Sequence, residues 1–159
     1  MKLTIERTNL LRSLGHVQSV VERRNTIPIL SNVLISAGPD GASFAATDLD
    51  IEILETTDAS CDGEGLVTAP AHTLYDIVRK LPEGTEVMLS TDADGNSMTV
   101  ISGRSNFKLQ CLPQSDFPEL TAGEFTHTFR LDSEILKELI DRTQFAISTE
   151  ETRYYLNGI

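Results

Sequence analysis
The sequence predicts an α+β fold, on three observations. Many short alternating segments are separated by turn residues, two longer stretches carry apolar residues at helical spacing, and the order strand, helix, strand recurs near the end of the chain. Residues 2–6 alternate as a strand. Thr8 caps a helix from Asn9 to about Val21, with Leu10, Leu11, Leu14, Val17 and Val21 inward. The polar stretch Glu22 to Thr26 ends it, and Pro28 holds Ile27 extended. Strands follow over 32–37, 42–47 and 51–57, divided by Gly38-Pro39-Asp40-Gly41 and by Asp48-Leu49-Asp50. Residues 65–68 form another strand, and Pro70 opens a helix over 71–80 with Leu74, Ile77 and Val78 inward.

Pro82-Glu83-Gly84 closes that helix and leads to strands over 86–90, 97–102 and 106–112, with Asp92-Ala93-Asp94-Gly95-Asn96 as the first hairpin turn. Pro113 to Ala122 reads as a linker. A strand over 126–131 follows, then a helix capped by Asp132 or Ser133 and running to about Phe145, with Ile135, Leu136, Leu139 and Ile140 on its inner side. A polar loop over 148–152 precedes a last strand over 154–159. The first unit is expected to have one helix-covered sheet face.

The end of the chain echoes its beginning. Leu3-Thr4-Ile5, Leu10 and Leu14 fall opposite Phe129-Arg130-Leu131, Leu136 and Ile140 at an offset of 126. One residue out of step, Asn32 and Leu34 fall opposite Asn157 and Ile159, so the pattern is that of a unit of about 125 residues whose second copy is cut off. A unit of that size is a domain, giving domain 1 over 1–122 and a linker with the incomplete start of domain 2 over 123–159. Apolar residues of the incomplete copy, Ile135, Leu136, Leu139 and Ile140, and an open strand edge over 154–159, are expected to be exposed unless another chain packs them; self-association or disorder beyond about residue 122 is the expectation.

Composition sets the class. With 40% hydrophobic and 23% charged residues, and no apolar run near the roughly 18 residues that cross a bilayer, the expectation is a soluble, cytoplasmic protein without a membrane role. Cys61 and Cys111 lack metal-ligand spacing and read as two reduced, buried thiols. The net charge is −11, but unevenly spread: residues 1–30 hold Lys2, Arg7, Arg12, Arg23 and Arg24 against Glu6 and Glu22, a net of +3. The remainder holds eight basic against 22 acidic groups, a net of −14. A basic opening on an acidic body suits a protein that holds a polyanion on one face and repels it elsewhere; a solvated helix face for Arg7 and Arg12 is the plainer reading.

Enzyme signatures are absent. His16, His72 and His127 are scattered, no nucleophile elbow occurs, and neither phosphate-cradling glycine motif is present. Asp48, Asp50 and Glu52 invite comparison with a metal site, yet in a strand they share the solvent face without a ligand loop. No cofactor is implied. Arg153-Tyr154-Tyr155, at the repeat position of the loop holding Arg23 and Arg24, combines a phosphate-binding group with rings that stack on sugars or bases; two core tyrosines are an equal alternative.

The segments Glu22 to Asn32 and Thr149 to Gly158, with Thr47-Asp48-Leu49-Asp50, Leu81-Pro82-Glu83-Gly84, Ser102-Gly103-Arg104-Ser105 and Leu112-Pro113-Gln114-Ser115-Asp116-Phe117-Pro118, resemble the bacterial DNA sliding clamps, the beta subunits of replicative DNA polymerases. The resemblance runs in order over essentially the whole chain. It implies the DNA-clamp fold, with two helices packed on one face of antiparallel sheet in each domain, and a non-catalytic processivity factor: a head-to-tail homodimeric ring of three-domain subunits around duplex DNA. This chain would be a fragment.

The same resemblance implies sites. Arg24 would touch the DNA backbone in one loop, and Arg153, Tyr154 and Tyr155 would do so in a second. Arg153 and Leu156 would stand at the rim of a pocket for short peptide motifs of DNA polymerase, the clamp loader and repair proteins. Ile77, Arg104, Phe107 and Leu109 would meet the neighbouring subunit. Glu150 stands where the family often has Gln, which weakens phosphate contact locally. Asn106 stands where the family can have Arg, so the interface would carry one fewer ion pair. The competing classes are a small α+β metal-dependent enzyme using Asp48, Asp50 and Glu52, and a peptide-binding module without a DNA role.

Overall fold
In the computed structural model, residues 1–23, 26–118, 126–148, 150–156 and 158 are described. The chain divides into two compact units, Met1–Leu120 and Thr121–Ile159.

In the first unit the strands form two antiparallel sheets. β1 (Lys2–Glu6), β5 (Ser60–Gly63), β7 (Glu86–Thr91), β8 (Ser97–Ser102) and β9 (Ser105–Gln110) make a five-stranded sheet ordered β5-β1-β7-β8-β9. β2 (Asn32–Gly38), β3 (Gly41–Thr47), β4 (Glu52–Thr57) and β6 (Gly65–Pro70) form a four-stranded sheet ordered β4-β3-β2-β6. The edge strand β5 (Ser60–Gly63) was not foreseen. It has no apolar alternation of its own and exists through pairing with β1, where Leu3 faces Cys61 and Lys2 Nζ lies 2.9 Å from Asp62 Oδ2. The turn between β2 and β3 requires glycine at position 41: φ is +115°, and a Cβ there would stand 2.6 Å from the Thr57 carbonyl oxygen.

Two helices cover the inner faces of these sheets. α1 (Arg7–Val17) begins before the predicted Thr8 cap, because the Glu6 carboxylate accepts from Asn9 N at 3.1 Å, and it ends at Val17. Val21, beyond the helix, is still buried. α2 (Ala71–Lys80) keeps its predicted bounds. The period-2 face of each strand and the helical stripe Leu10, Leu14, Val17, Leu74 and Val78 meet in one core with Leu3, Ile35, Phe44, Val67 and Leu89.

A smaller cluster lies on the outer face of the four-stranded sheet. Pro28 opens a 3-10 helix (Pro28–Ser31) that buries Ile29 and Leu30 against Ala45 and Phe117. Hence the start of the expected linker is anchored: the Thr68 hydroxyl donates to the Leu112 carbonyl at 2.7 Å and accepts from Leu112 N at 3.1 Å and from Asn32 Nδ2 at 3.0 Å.

In the second unit, α3 (Ser133–Thr143) is capped by Asp132, whose carboxylate accepts from Glu134 N at 2.9 Å. Ile135, Leu136, Leu139 and Ile140 are exposed, as expected. Neither predicted flanking strand forms among the described residues. Residues 126–131 pair with nothing and leave Phe129 exposed, while Glu151–Leu156 is 3-10 helical. Strand conformation needs a partner ladder; without one the backbone of 151–156 takes the local hydrogen bonds of a tight helix. Residues 157 and 159 of the predicted last strand lie outside the described residues. No helix among the described residues is long and apolar enough to cross a membrane.

Candidate nucleic-acid interface
α1 and α2 run antiparallel and are tied at both ends. Arg7 was expected on a solvated face, yet it is 9% exposed and caps α2: Nε donates to the Val78 carbonyl at 3.2 Å and Nη2 to the Arg79 carbonyl at 2.8 Å. A cation at a helix C-terminus satisfies orphan carbonyls and complements the dipole. At the other end His72, in the first turn of α2, reaches the chain leaving α1. Its Nε2 donates to the Val21 carbonyl at 2.8 Å, and Nδ1 lies 3.1 Å from Gln18 Oε1. Between the ties, Gly15 passes close to Tyr75, whose ring in turn receives the Arg79 guanidinium at 5.7 Å.

These ties redistribute the basic opening segment. Arg7 is buried and offers no charge to a polyanion, while half-exposed Lys2 shares its charge with Asp62. Arg12 and Arg23 are exposed. His16, also exposed, pairs with Glu55 of β4 at 2.7 Å. Arg24 lies outside the described residues.

In the second unit, Arg153 sits at a kink inside Glu151–Leu156, at φ −115° and ψ 42°. Its Nε is 3.0 Å from Glu150 Oε2, so this carboxylate engages the arginine directly. The loop is closed by Ser148 N donating to the Leu156 carbonyl at 2.9 Å and Arg153 N to the Glu150 carbonyl at 3.0 Å. Tyr155 and Leu156 are exposed. The side chain of Tyr154 lies outside the described residues.

Of the interface candidates, Ile77 and Phe107 come together. They line a cleft of about 320 Å³ with Thr73, Asp76, Lys80 and Ser105, and Phe107 is 38% exposed. Arg104 is exposed in the β8–β9 turn, beside Gly103 at φ +56°. Leu109 requires correction. It pairs in register with Met98, is 8% exposed and belongs to the core, so its side chain is not part of a surface patch. Phe107 shares its strand face but lies two residues nearer the rim. The helical spacing of Thr73, Ile77 and Lys80 on α2 was the signal for the other cleft residues.

Asp48 and Asp50 lie in the β3–β4 turn, not in a strand; Asp48 Oδ1 accepts from Asp50 N at 3.0 Å and Ile51 N at 2.8 Å, with Leu49 at φ +85°. Glu52 starts β4. Among the described residues no three His, Cys, Asp or Glu side chains are arranged to hold a metal. Asp92 is likewise a turn former: Ser97 Oγ donates to its Oδ2 at 2.7 Å, and this bond above all holds the carboxyl below its usual pKa. The cysteines are half-buried and unpaired with one another. Burial, then the Asp92 charge, pushes the Cys111 thiol up to about 11.

Known proteins supply the remaining comparison. Residues 1–121 match the family described as DNA polymerase III beta subunit, N-terminal domain. The beta sliding clamp of Caulobacter vibrioides is 58% identical over 159 residues, all of this chain and 43% of that protein. That of Escherichia coli is 39% identical over 160 aligned residues, again across 100% of this chain and 43% of the relative. Among solved structures, Caulobacter crescentus pol III beta superposes with a TM-score of 0.93 at 59% identity, over 99% of this chain and 43% of the other. A Bartonella birtlesii sliding clamp bound to griselimycin gives 0.95 at 54% identity, over 100% of this chain and 42% of the other. The chain thus spans 43% of the length of these curated relatives. It belongs to the DNA polymerase III beta subunit family, its residues 1–121 matching that family's N-terminal domain.

Proposed function
We propose that the full-length protein is a DNA replication processivity factor, a homodimeric sliding clamp of the cytoplasm that encircles duplex DNA and tethers a polymerase, and that it performs no catalysis itself. The observation that carries the reading is the uninterrupted likeness of all 159 residues to beta sliding clamps, at up to 58% identity among the curated relatives above. The local chemistry accords with it. A tether must move along DNA, so it needs a few phosphate contacts and no base-reading helix. Arg12 and Arg23 are exposed while Lys2 and Arg7 are engaged within the fold, and an acidic body discourages binding elsewhere.

In this reading Arg24, Arg153, Tyr154 and Tyr155 contact the DNA backbone. Arg153 and Leu156 border a pocket for peptide motifs of polymerase, clamp loader and repair proteins. Ile77, Arg104 and Phe107 face the neighbouring subunit, with Leu109 supporting them from the core. The domain boundary falls at about residue 122.

The test uses full-length protein. Wild type should be retained on nicked circular DNA and lost when the circle is cut. Arg24→Ala should weaken duplex binding and reduce the slope of log affinity against log salt by about one, since one phosphate contact is removed. Equal retention on circular and linear DNA, or an unchanged salt slope, would overturn the reading.

A further inference from the structure
Arg12, His16 and Ser19 follow one another at helical spacing on the exposed side of α1, while Leu10, Leu14 and Val17 are buried in the core. His16 is the member of this row whose charge is not fixed. Its side chain is half-exposed, and Nδ1 lies 2.7 Å from Glu55 Oε1 on β4. An ionised carboxylate only accepts, so Nδ1 carries the hydrogen of the neutral ring and Nε2 is left as a bare lone pair. Nε2 has no hydrogen-bond partner among the described residues. Protonation therefore adds its N–H at the unpartnered nitrogen, converting an acceptor that repels phosphate oxygens into a charged donor to them.

The neighbouring charges leave Glu55 as the group that faces His16. α2, β4, β3 and β1 pack on α1, and β3 has no titratable side chain. On β4, Glu52 is three residues from Glu55 and so lies on the opposite strand face. On α2, Tyr75 lies against Gly15, Asp76 pairs with Arg79 at 3.0 Å, His72 is bonded to Gln18 and Val21, and Lys80 lines the cleft with Phe107. On β1, Lys2 pairs with Asp62 and Glu6 caps Asn9. On α1 itself Arg12 borders a groove with Asp40 and Asp58, and Glu22 and Arg23 follow the helix.

We propose that His16 is a proton-linked phosphate contact on α1, with Glu55 setting its tautomer, so that duplex binding draws a proton from solvent onto Nε2. The inference rests on the DNA-binding reading above and adds to it a contact on the exposed basic side of the helix. With the ring protonated, the pair is neutral and presents an N–H to the polyanion. With the ring neutral, Glu55 meets the same polyanion without its partner cation. The complex thus holds more protons than its separated partners, and affinity falls as pH rises through the range in which histidine changes charge, roughly pH 5 to 8. Arginine keeps its charge across that range and contributes no such dependence.

The experiment compares full-length wild type with His16→Gln, His16→Lys, Glu55→Gln and Arg24→Ala. Binding to a DNA duplex is followed by fluorescence anisotropy over a salt series at about pH 6 and about pH 8, and calorimetry in two buffers of different ionisation enthalpy counts the protons taken up. Wild type should bind about two- to fivefold more tightly than His16→Gln at the lower pH, with a salt slope steeper by about one, and should lose both differences at the higher pH. It should take up protons that His16→Gln does not. His16→Lys, cationic throughout, should bind at the higher pH as wild type does at the lower. Glu55→Gln should bind more tightly than wild type at the higher pH, where the carboxylate stands without its cation. A pH dependence or proton uptake that persists unaltered in His16→Gln overturns the proposal, as does His16→Lys losing affinity with pH as wild type does. Glu55→Gln matching wild type at both pH values overturns the role given to Glu55. Should Arg24→Ala weaken binding while the His16 variants match wild type at both pH values, this inference fails alone; should Arg24→Ala also be silent, the DNA-binding reading fails with it.

Discussion
Arg7 ties two helices through one side chain, so its removal has a calculable cost. Arg7→Ala removes the Arg79 carbonyl's side-chain donor and one of two donors of the Val78 carbonyl, which keeps Leu81 N at 3.2 Å. A hydrogen bond from a charged donor contributes about 1.5–3 kcal/mol, and both bonds take the lower figure, because the one to Arg79 is only partly buried and the Val78 carbonyl retains Leu81 N. Adding a fraction of a kcal/mol for the helix dipole, we expect a loss of about 3 kcal/mol. At about 4 °C per kcal/mol for a unit of this size, the midpoint of thermal unfolding should fall by about 12 °C. Urea unfolding followed by far-UV circular dichroism would measure it. Arg7→Met keeps the aliphatic stem and should recover little, whereas Arg7→Lys should recover about half, because an ammonium can serve one carbonyl but lacks the fork. If Arg7→Ala costs under about 1 kcal/mol, or if Arg7→Met matches wild type, the two bonds do not hold the helix pair and the reasoning fails.

The remaining predictions concern three further sites. Ser13 is 1% exposed within α1 and its hydroxyl has no partner among the described residues, so Ser13→Ala should raise stability by about 1 kcal/mol in the same urea assay; a loss of stability would mean the hydroxyl is satisfied. The Cys111 thiol, raised to about 11 from an ordinary 9.0, favours the neutral form in the folded chain. Its contribution to stability is therefore whole below about pH 9 and is lost as pH rises from there through about 11, a decline that Cys111→Ala should flatten when denaturation midpoints are compared across that window. Glu150→Gln removes the carboxylate beside Arg153, so in full-length protein it should tighten duplex binding by roughly three- to tenfold at low salt, with the gain shrinking as salt rises; unchanged affinity would mean Glu150 does not oppose DNA.

Much of the first unit could be read from residue order. α2 kept its bounds because Pro70 and Leu81-Pro82 mark both ends and its apolar stripe has helical spacing. Most strands were legible through their alternation and intervening turns. What failed had a common cause. β5 carries no alternation and forms only because β1 offers an edge. The segments 126–131 and 154–156 have strand-like residues but no ladder to join. Arg7 reads as a solvated basic residue until the end of α2 is brought to it, and Leu109 reads as surface until its register with Met98 is known.

The sequence by itself determined the α+β class, the periodicity of the core and the resemblance that identifies the family, since these depend on local spacing and on motifs kept in order. Only the tertiary structure decided which charges of the opening segment have partners within the fold. Lys2 and Arg7 carry the same charge as Arg12 and Arg23 along the chain, and what separates them is proximity to an acceptor. Asp62 pairs Lys2, and two helix-end carbonyls take Arg7. Hydrogen bonds and ion pairs act over a few ångströms, so contacts between residues far apart in sequence exist only once the backbone has brought them together.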